Sequence, residues 1–213
     1  MNDIKKIRYD RLGPQVVTAL EKRNFEAWYC EDAASALNKI LTLIPSDASV
    51  GYGGSLTINA LGLKEALRQR GNTMFDRDLA VTQEERTALE HQALSGDWFL
   101  MGCNAISEDG QLVNIDGIGN RVAALIYGPK NVLIAAGMNK VAASREDAWT
   151  RARHTAAPEN MARFSNLKTP CAVTGVCADC TSPDCICNQL VLTRRCNPPK
   201  RIKVILIGED LGL

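Results

Sequence analysis

The chain of 213 residues carries 25 basic and 24 acidic side chains, with 46% hydrophobic and 23% charged residues. Such a chain can bury a core of its own, and it lacks the basic surplus of a sequence-independent nucleic-acid binder or a polybasic membrane anchor. No apolar run approaches the roughly 20 residues of a spanning helix, and Met1-Asn2-Asp3-Ile4-Lys5-Lys6 lacks the apolar stretch of a signal peptide. The expectation is a cytoplasmic protein with neither nucleic acid nor membrane as partner.

Residues 3–23 place Ile4, Ile7, Leu12, Val16 and Leu20 at helical spacing, with Gly13-Pro14 as a point where the helix divides. A short strand is expected at 25–29 and an amphipathic helix at 33–44, stopped by Pro45. Residues 48–52 read as a buried strand, followed by Gly53-Gly54-Ser55 and a helix with Leu56, Ala60, Leu63 and Leu67 on one face. A strand at 72–75 precedes a helix at 82–94, with Thr82 as cap and Glu85 at the capping-box position. Further strands are expected at 97–101, 105–107 and 112–115, a helix at 120–127 and a strongly apolar strand at 131–136. Helices fill much of 144–164, residues 170–188 are cysteine-rich with little apolar periodicity, and strands close the chain at 189–193 and 202–207. Alternating strands and helices predict one α/β domain over residues 1–213, with a largely parallel sheet flanked by helices. Residues 1–45 form an N-terminal helical lobe on it, and 170–188 form a cysteine-rich loop insert.

Ligands in open α/β sheets bind beyond the carboxyl ends of the strands, and three polar loops follow strands here. In the first, Gly51, Gly53 and Gly54 let backbone N–H groups approach an anion, and Ser55 and Thr57 add hydroxyl donors. It has no Gly-Lys-Ser/Thr and no dinucleotide spacing, so no nucleotide cofactor motif is present; the plain alternative is a tight turn with Ser55 as N-cap. The second loop gathers Asn114, Asp116, Gly117, Gly119, Asn120 and Arg121 ahead of a helix. Its guanidinium can hold a carboxylate or phosphate bidentately, or Arg121 simply pairs with Asp116. The third offers Asn139 and Lys140, the lysine being either a counter-charge for a ligand or a solvated surface group. Asn104 lies near the second loop. The ligand expected is a small anionic metabolite. No catalytic residue is fixed by the sequence; Cys103, Asp116 and Arg121 are the candidates. His91 and His154, the two histidines, sit on charged helices, which argues against Ser-His-Asp or Cys-His catalysis. Glu209-Asp210, after the last strand, either faces the same crevice or is solvated.

Cys171, Cys177, Cys180, Cys185 and Cys187 follow the pattern C-x5-C-x2-C-x4-C-x-C, with Cys196 just beyond. A C-x2-C pair wraps two thiolates onto one metal, and thiolates select zinc or iron–sulfur clusters. The spacing fits neither ferredoxin run, so zinc and iron–sulfur stay open, as do disulfides formed in air.

The run Gly102-Cys103-Asn104-Ala105-Ile106-Ser107-Glu108-Asp109-Gly110-Gln111-Leu112-Val113-Asn114-Ile115-Asp116-Gly117, continued by Gly119-Asn120-Arg121-Val122-Ala123-Ala124, resembles the core motif of the lactate-utilisation (LUD) family. So do Gly137-Met138-Asn139-Lys140 and Gly208-Glu209-Asp210-Leu211-Gly212. The resemblance implies a fold like ribose-phosphate isomerases and CoA transferases, whose glycine-rich phosphate loop the first loop is similar to. The segment from Gly102 to Gly119 is similar to their Gly-Ala-Asp…Asn-Lys-Ile-Gly-Thr pattern. However, Cys103-Asn104 stands in the region of its aspartate, and Asp116 and Asn120 in those of its lysine and threonine. That departure speaks against sugar-phosphate isomerisation by their route. The resemblance also implies Cys171, Cys177, Cys180 and Cys187 as the metal set, with Cys185 an extra. It further implies a place in the oxidation of lactate or another hydroxy acid, with iron–sulfur redox proteins as partners and a homodimer paired through helices. The alternatives are a non-redox isomerase or transferase on a phosphorylated or CoA-linked substrate, and a metabolite-sensing module without catalysis.

Overall fold

A computed structural model describes residues 3–213. Among them, α1 (Asp3–Lys22) leads to β1 (Glu26–Cys30), α2 (Ala33–Leu43), β2 (Ser49–Tyr52), α3 (Leu56–Ala60), α4 (Leu63–Gln69), β3 (Thr73–Phe75), α5 (Gln83–Ser95) and β4 (Trp98–Met101). A hairpin follows, β5 (Ala105–Ser107) and β6 (Leu112–Asp116), then α6 (Asn120–Tyr127), β7 (Asn131–Gly137), β8 (Val141–Ala142) and α7 (Arg145–Arg151). The chain closes with α8 (Ala157–Met161), α9 (Pro170–Thr174), β9 (Gln189–Thr193) and β10 (Ile202–Ile207).

Six strands form a parallel sheet in the order β1-β10-β7-β4-β2-β3. Strand periodicity sends alternate side chains to opposite faces, and here both faces are dry. Val132, Ile134, Val204, Leu206, Phe99 and Met101 join Val16 and Leu20 of α1, Ala93 of α5 and Leu125 of α6 in one cluster. Leu133, Ala135, Ile205, Ile207, Leu100 and Val50 join Ile40 of α2, Ile58 of α3 and Leu67 of α4 in the other. The fold is therefore an α/β sandwich of three layers with the sheet in the middle. The segment read as an N-terminal helical lobe contributes a helix to each face and, between them, the edge strand β1.

A second sheet, β8-β5-β6-β9, lies beyond the carboxyl ends of the first. The β5–β6 hairpin and the β6–β9 pairing are antiparallel, and α7 packs on it through Ala148 against Ala105, Val113 and Ile115. The helical run after α7 slips into a π turn at Ala152–Ala156, where the Ala157 N–H reaches back to the Ala152 carbonyl. Pro158, which has no N–H to give, follows immediately.

Three local readings change. The first helix runs unbroken through Pro14, and Gly13 is required there because a Cβ would stand 2.2 Å from the Tyr29 ring. The helix expected after Ser55 divides at Gly62, which has φ 64°; Leu56 is only half-buried and Ala60 exposed, while Ile58, Leu61, Leu63 and Leu67 are buried. Thr82 does cap α5, but the Glu85 carboxylate accepts from the Val81 N–H instead of closing a box with Thr82. Among the described residues, no helix is long and apolar enough to cross a membrane.

Candidate functional site

The three loops meet. Gly53, Gly54 and Ser55 after β2, Gly102, Cys103 and Asn104 after β4, Asp116, Gly117, Asn120 and Arg121 after β6, and Lys140 after β7 line one crevice of about 550 Å³. Its floor is the carboxyl edge of the parallel sheet, as expected for an open α/β fold.

Gly53 is needed because a Cβ would stand 2.6 Å from Arg121 Cγ and 2.8 Å from the Phe99 ring. Gly54 has φ 70°, a conformation side chains rarely adopt, and brings the backbone to the Arg77 guanidinium. Ser55 caps α3, its hydroxyl oxygen accepting from the Ile58 N–H at 3.3 Å. The backbone N–H of Ser55 is tied to the Tyr52 hydroxyl.

Arg121 donates from Nη2 to the Ile115 carbonyl at 2.6 Å, and its Nε lies 3.3 Å from Asp116. Asp116 also accepts from the Gly119 and Val122 N–H groups. The pairing weighed from the sequence therefore exists, and Arg121 still lines the crevice with Nη1 unpaired among the described residues. Asn104 accepts from the Ile115 N–H at 2.9 Å. Arg151 holds both neighbouring loops by donating to the Asn104 carbonyl at 2.6 Å and the Asn139 carbonyl at 3.0 Å.

Lys140 is buried, 4% exposed, and donates to Thr57 Oγ1 at 3.2 Å. Burial pulls its pKa from an ordinary 10.5 down to about 8. The Cys103 thiol is fully enclosed and donates towards the Ala105 and Val113 carbonyls, at 2.9 and 3.3 Å. Burial raises its pKa, so it stays a neutral thiol and makes a poor nucleophile.

Several expected ligand residues stand behind the crevice wall. Gly51 packs against Ala93 of α5. Thr57 supports Lys140 and donates to the Leu211 carbonyl. Asn139 pins the C-terminal segment, accepting from the Leu211 N–H and donating to the Gly212 carbonyl. Gly119 is the left-handed N-cap of α6. Asn114 is fully buried with neither amide atom bonded, and it does not line the crevice. Asp210 pairs with Lys5 and accepts from the Tyr9 hydroxyl on α1. His91 and His154 are exposed.

Sequence reasoning missed the far wall: Arg77, Arg86 and Glu90, with Asn160 and Arg163 opposite. Glu90 pairs with Arg77 and lies 3.8 Å from Arg86. The available signal was Arg86 and Glu90 four apart on one helix face, together with Arg77 just past a strand end. Five cationic side chains (Arg77, Arg86, Arg121, Lys140, Arg163) face three carboxylates (Asp78, Glu90, Asp116) across the crevice. The excess of positive charge favours an anion.

The cysteine-rich segment folds over one flank. Thr169 caps α9, and Pro170 occupies its first turn. Cys171, Cys177, Cys180, Cys185 and Cys187 all line a single cavity of about 50 Å³, together with Arg153 and Asp179. All eight cysteines of the chain are free thiols. Cys187 is pushed up to about 12, by burial first and then by the neighbouring sulfurs of Cys185, Cys177 and Cys171. The Cys187 N–H donates to Cys185 Sγ at 3.4 Å. Among the described residues, no group of three or more His, Cys, Asp or Glu side chains is gathered as a ready-made metal site. The residue types lining the cavity, five cysteines with Asp179 as the one carboxylate, are those a thiophilic metal takes, although they are not gathered at ligand distance. Ile115 and Ile186 line both this cavity and the crevice, so the two share a wall.

Comparison with known proteins identifies the family. Residues 14–207 match the LUD domain. A DUF162 family protein from Deinococcus radiodurans, solved at 1.70 Å, superposes with a TM-score of 0.56 at 12% identity, over 93% of this chain and 98% of that one. Ribose 5 phosphate isomerase A from Neisseria gonorrhoeae superposes with a TM-score of 0.33 at 14% identity, over 52% of each chain. No curated protein sequence matches.

Proposed function

The chain belongs to the LUD domain family, and we propose that it is a component of hydroxy-acid oxidation, binding a small anionic metabolite in the crevice next to a thiolate-bound iron–sulfur centre. The observation that carries this reading is the shared wall. Among the described residues, Ile115 and Ile186 alone line both compartments, so a redox centre held by the sulfurs would stand one side chain away from a bound substrate.

Cys171, Cys177, Cys180 and Cys187 are the proposed ligands, with Cys185 alongside. An iron–sulfur centre there supplies one-electron transfer to a partner protein. The chain's own residues do the rest. Arg121, pre-set by Asp116 and the Ile115 carbonyl, offers Nη1 to a carboxylate. Lys140 and Ser55 line the same crevice and would face the hydroxyl-bearing carbon of the bound acid. The apolar side chains of Ile115 and Ile186 would hinder water from crossing between the compartments. Thiolates kept as metal ligands suit a reducing compartment, and on that ground we propose that the protein is cytoplasmic.

The test is anaerobic purification followed by iron, zinc and acid-labile sulfide analysis with a visible spectrum. Iron with sulfide, lost in Cys177→Ser and Cys180→Ser, is the expected result. Zinc alone would make the lobe a structural knot and leave the crevice to a non-redox isomerase or transferase. Lactate binding, measured by calorimetry, should weaken on the order of ten- to a hundredfold in Arg121→Ala, the usual cost of a lost charge-assisted hydrogen bond. Unchanged affinity would remove the crevice from consideration.

A further inference from the structure

The buried end of the crevice holds an amine in an unusual setting. Lysine is rarely interior without a carboxylate partner, yet among the described residues Lys140 has one hydrogen bond, to the neutral Thr57 hydroxyl. Thr57 spends its own hydrogen on the Leu211 carbonyl, so it accepts from the amine. The charges around Lys140 come from each element packed on it: Cys103 after β4, held as a neutral thiol; Arg121 of α6 and Arg151 of α7, both cationic; and Glu159 of α8, exposed and the weakest influence. Two cations and burial act against the ammonium form, and the pKa of about 8 follows from burial first.

Although 4% exposed, Lys140 lines the crevice. Two glycines let backbone come close to it: a Cβ on Gly102 would stand 2.7 Å from Ser55 Oγ and 3.9 Å from Lys140 Nζ, and one on Gly212 of the C-terminal segment would stand 3.1 Å from Lys140 Nζ. The Ser55 hydroxyl uses its oxygen to accept from Ile58 and keeps its hydrogen for a ligand. Arg121 and Asn104 stand on the same wall. A desolvated amine, a hydroxyl donor and a guanidinium lining one recess match the parts of a 2-oxo acid: carbonyl carbon, carbonyl oxygen and carboxylate.

We propose that Lys140 is a covalent capture group that condenses with the carbonyl of a 2-oxo acid bound in the crevice. The Nζ lone pair attacks the carbonyl carbon, a C–N bond forms, and the C=O π pair moves to oxygen, which takes a proton. Loss of water from the carbinolamine leaves a protonated imine, and addition of water reverses the step, with no oxidant or reductant consumed. A 2-oxo acid is the product of oxidising a 2-hydroxy acid, so the capture would hold that product. This rests on the crevice being the anion site and is independent of the metal.

The experiment incubates the full chain with pyruvate and cyanoborohydride, then maps the modified peptides by mass spectrometry. At neutral pH the free-base fraction of an amine of pKa about 8 exceeds that of a surface lysine on the order of a hundredfold. The adduct should therefore concentrate on Lys140, with a rate that rises through about pH 8. Lys140→Met and Lys140→Arg should abolish it. Labelling spread over surface lysines with no excess at Lys140 in the native chain would overturn the inference, and needs no variant to fold. Pyruvate binding by calorimetry without reductant separates the two readings. Binding without an adduct refutes covalent capture alone, whereas no binding refutes the anion crevice as well.

Discussion

The crevice and the cysteine lobe adjoin each other but are held by different forces. Every loop of the crevice grows from a strand end whose residues are buried on both faces; β4, β7 and β10 are almost wholly enclosed. The lobe has no buried residue from Pro170 to Leu190. Its order rests on a short helix, a few side-chain bonds to backbone such as those of Ser182 and Asn188, and the Arg153–Asp179 ion pair at 2.5 Å. A segment that buries so little apolar surface cannot offset its own ordering entropy from packing. The metal–thiolate bonds proposed above would supply the rigidity that packing does not. Hydrophobic burial fixes the crevice walls, while the lobe lacks a comparable packed core.

That contrast can be broken most strongly from the sheet side. Leu100→Ala empties a fully buried position on β4 and should cost about 2–5 kcal/mol in denaturant unfolding. Metal content per folded molecule should stay unchanged. Loss of metal in the folded variant would show that the lobe leans on the sheet after all.

The next effect concerns Lys140 and pH. Its folded pKa lies below the unfolded value, so between about 8 and 10.5 the unfolded chain binds the extra proton. Stability from this group therefore rises with pH across that window, and below it the fold carries a penalty of about 3 kcal/mol at most. Lys140→Met should be more stable than the native chain at pH 7 and should lose that advantage by about pH 10.5. A constant difference between the two unfolding curves across pH would contradict the burial argument.

The smallest effect tests the lobe's tether. Asp179 is 88% exposed in its side chain, so Arg153→Ala should change global stability by less than about 1 kcal/mol. Hydrogen exchange should nevertheless quicken between 168 and 188 in the metal-free protein and not in the loaded one. Equal quickening in both states would mean that the ion pair, and not the metal, organises the lobe.

Much of this was legible in the residues. Alternating apolar strands and capped helices identified the α/β fold, and glycine, amide and charged residues after strands marked the loops that converge. Legibility failed where a residue's role depends on a distant partner. Gly51, Thr57 and Asn139 carry the composition of ligand residues, yet their partners are Ala93, Lys140 and Leu211. Arg77 and Arg163 are ordinary surface residues in the sequence and crevice walls in the fold. Pro14 is a helix breaker locally, but the packing of Gly13 on Tyr29 keeps α1 whole.

The sequence by itself determined the element order, the two-faced burial of the main strands, and the gathering of thiols within one short segment. These depend on periodicity and spacing, which are local properties of a chain. Only the tertiary structure decided that a second, mixed sheet stands at the crevice, that Lys140 is buried with no carboxylate partner among the described residues, and that Ile115 and Ile186 line both the crevice and the cysteine cavity. Each of those is a contact between segments far apart in the chain, set by how two sheets and their helices exclude water together.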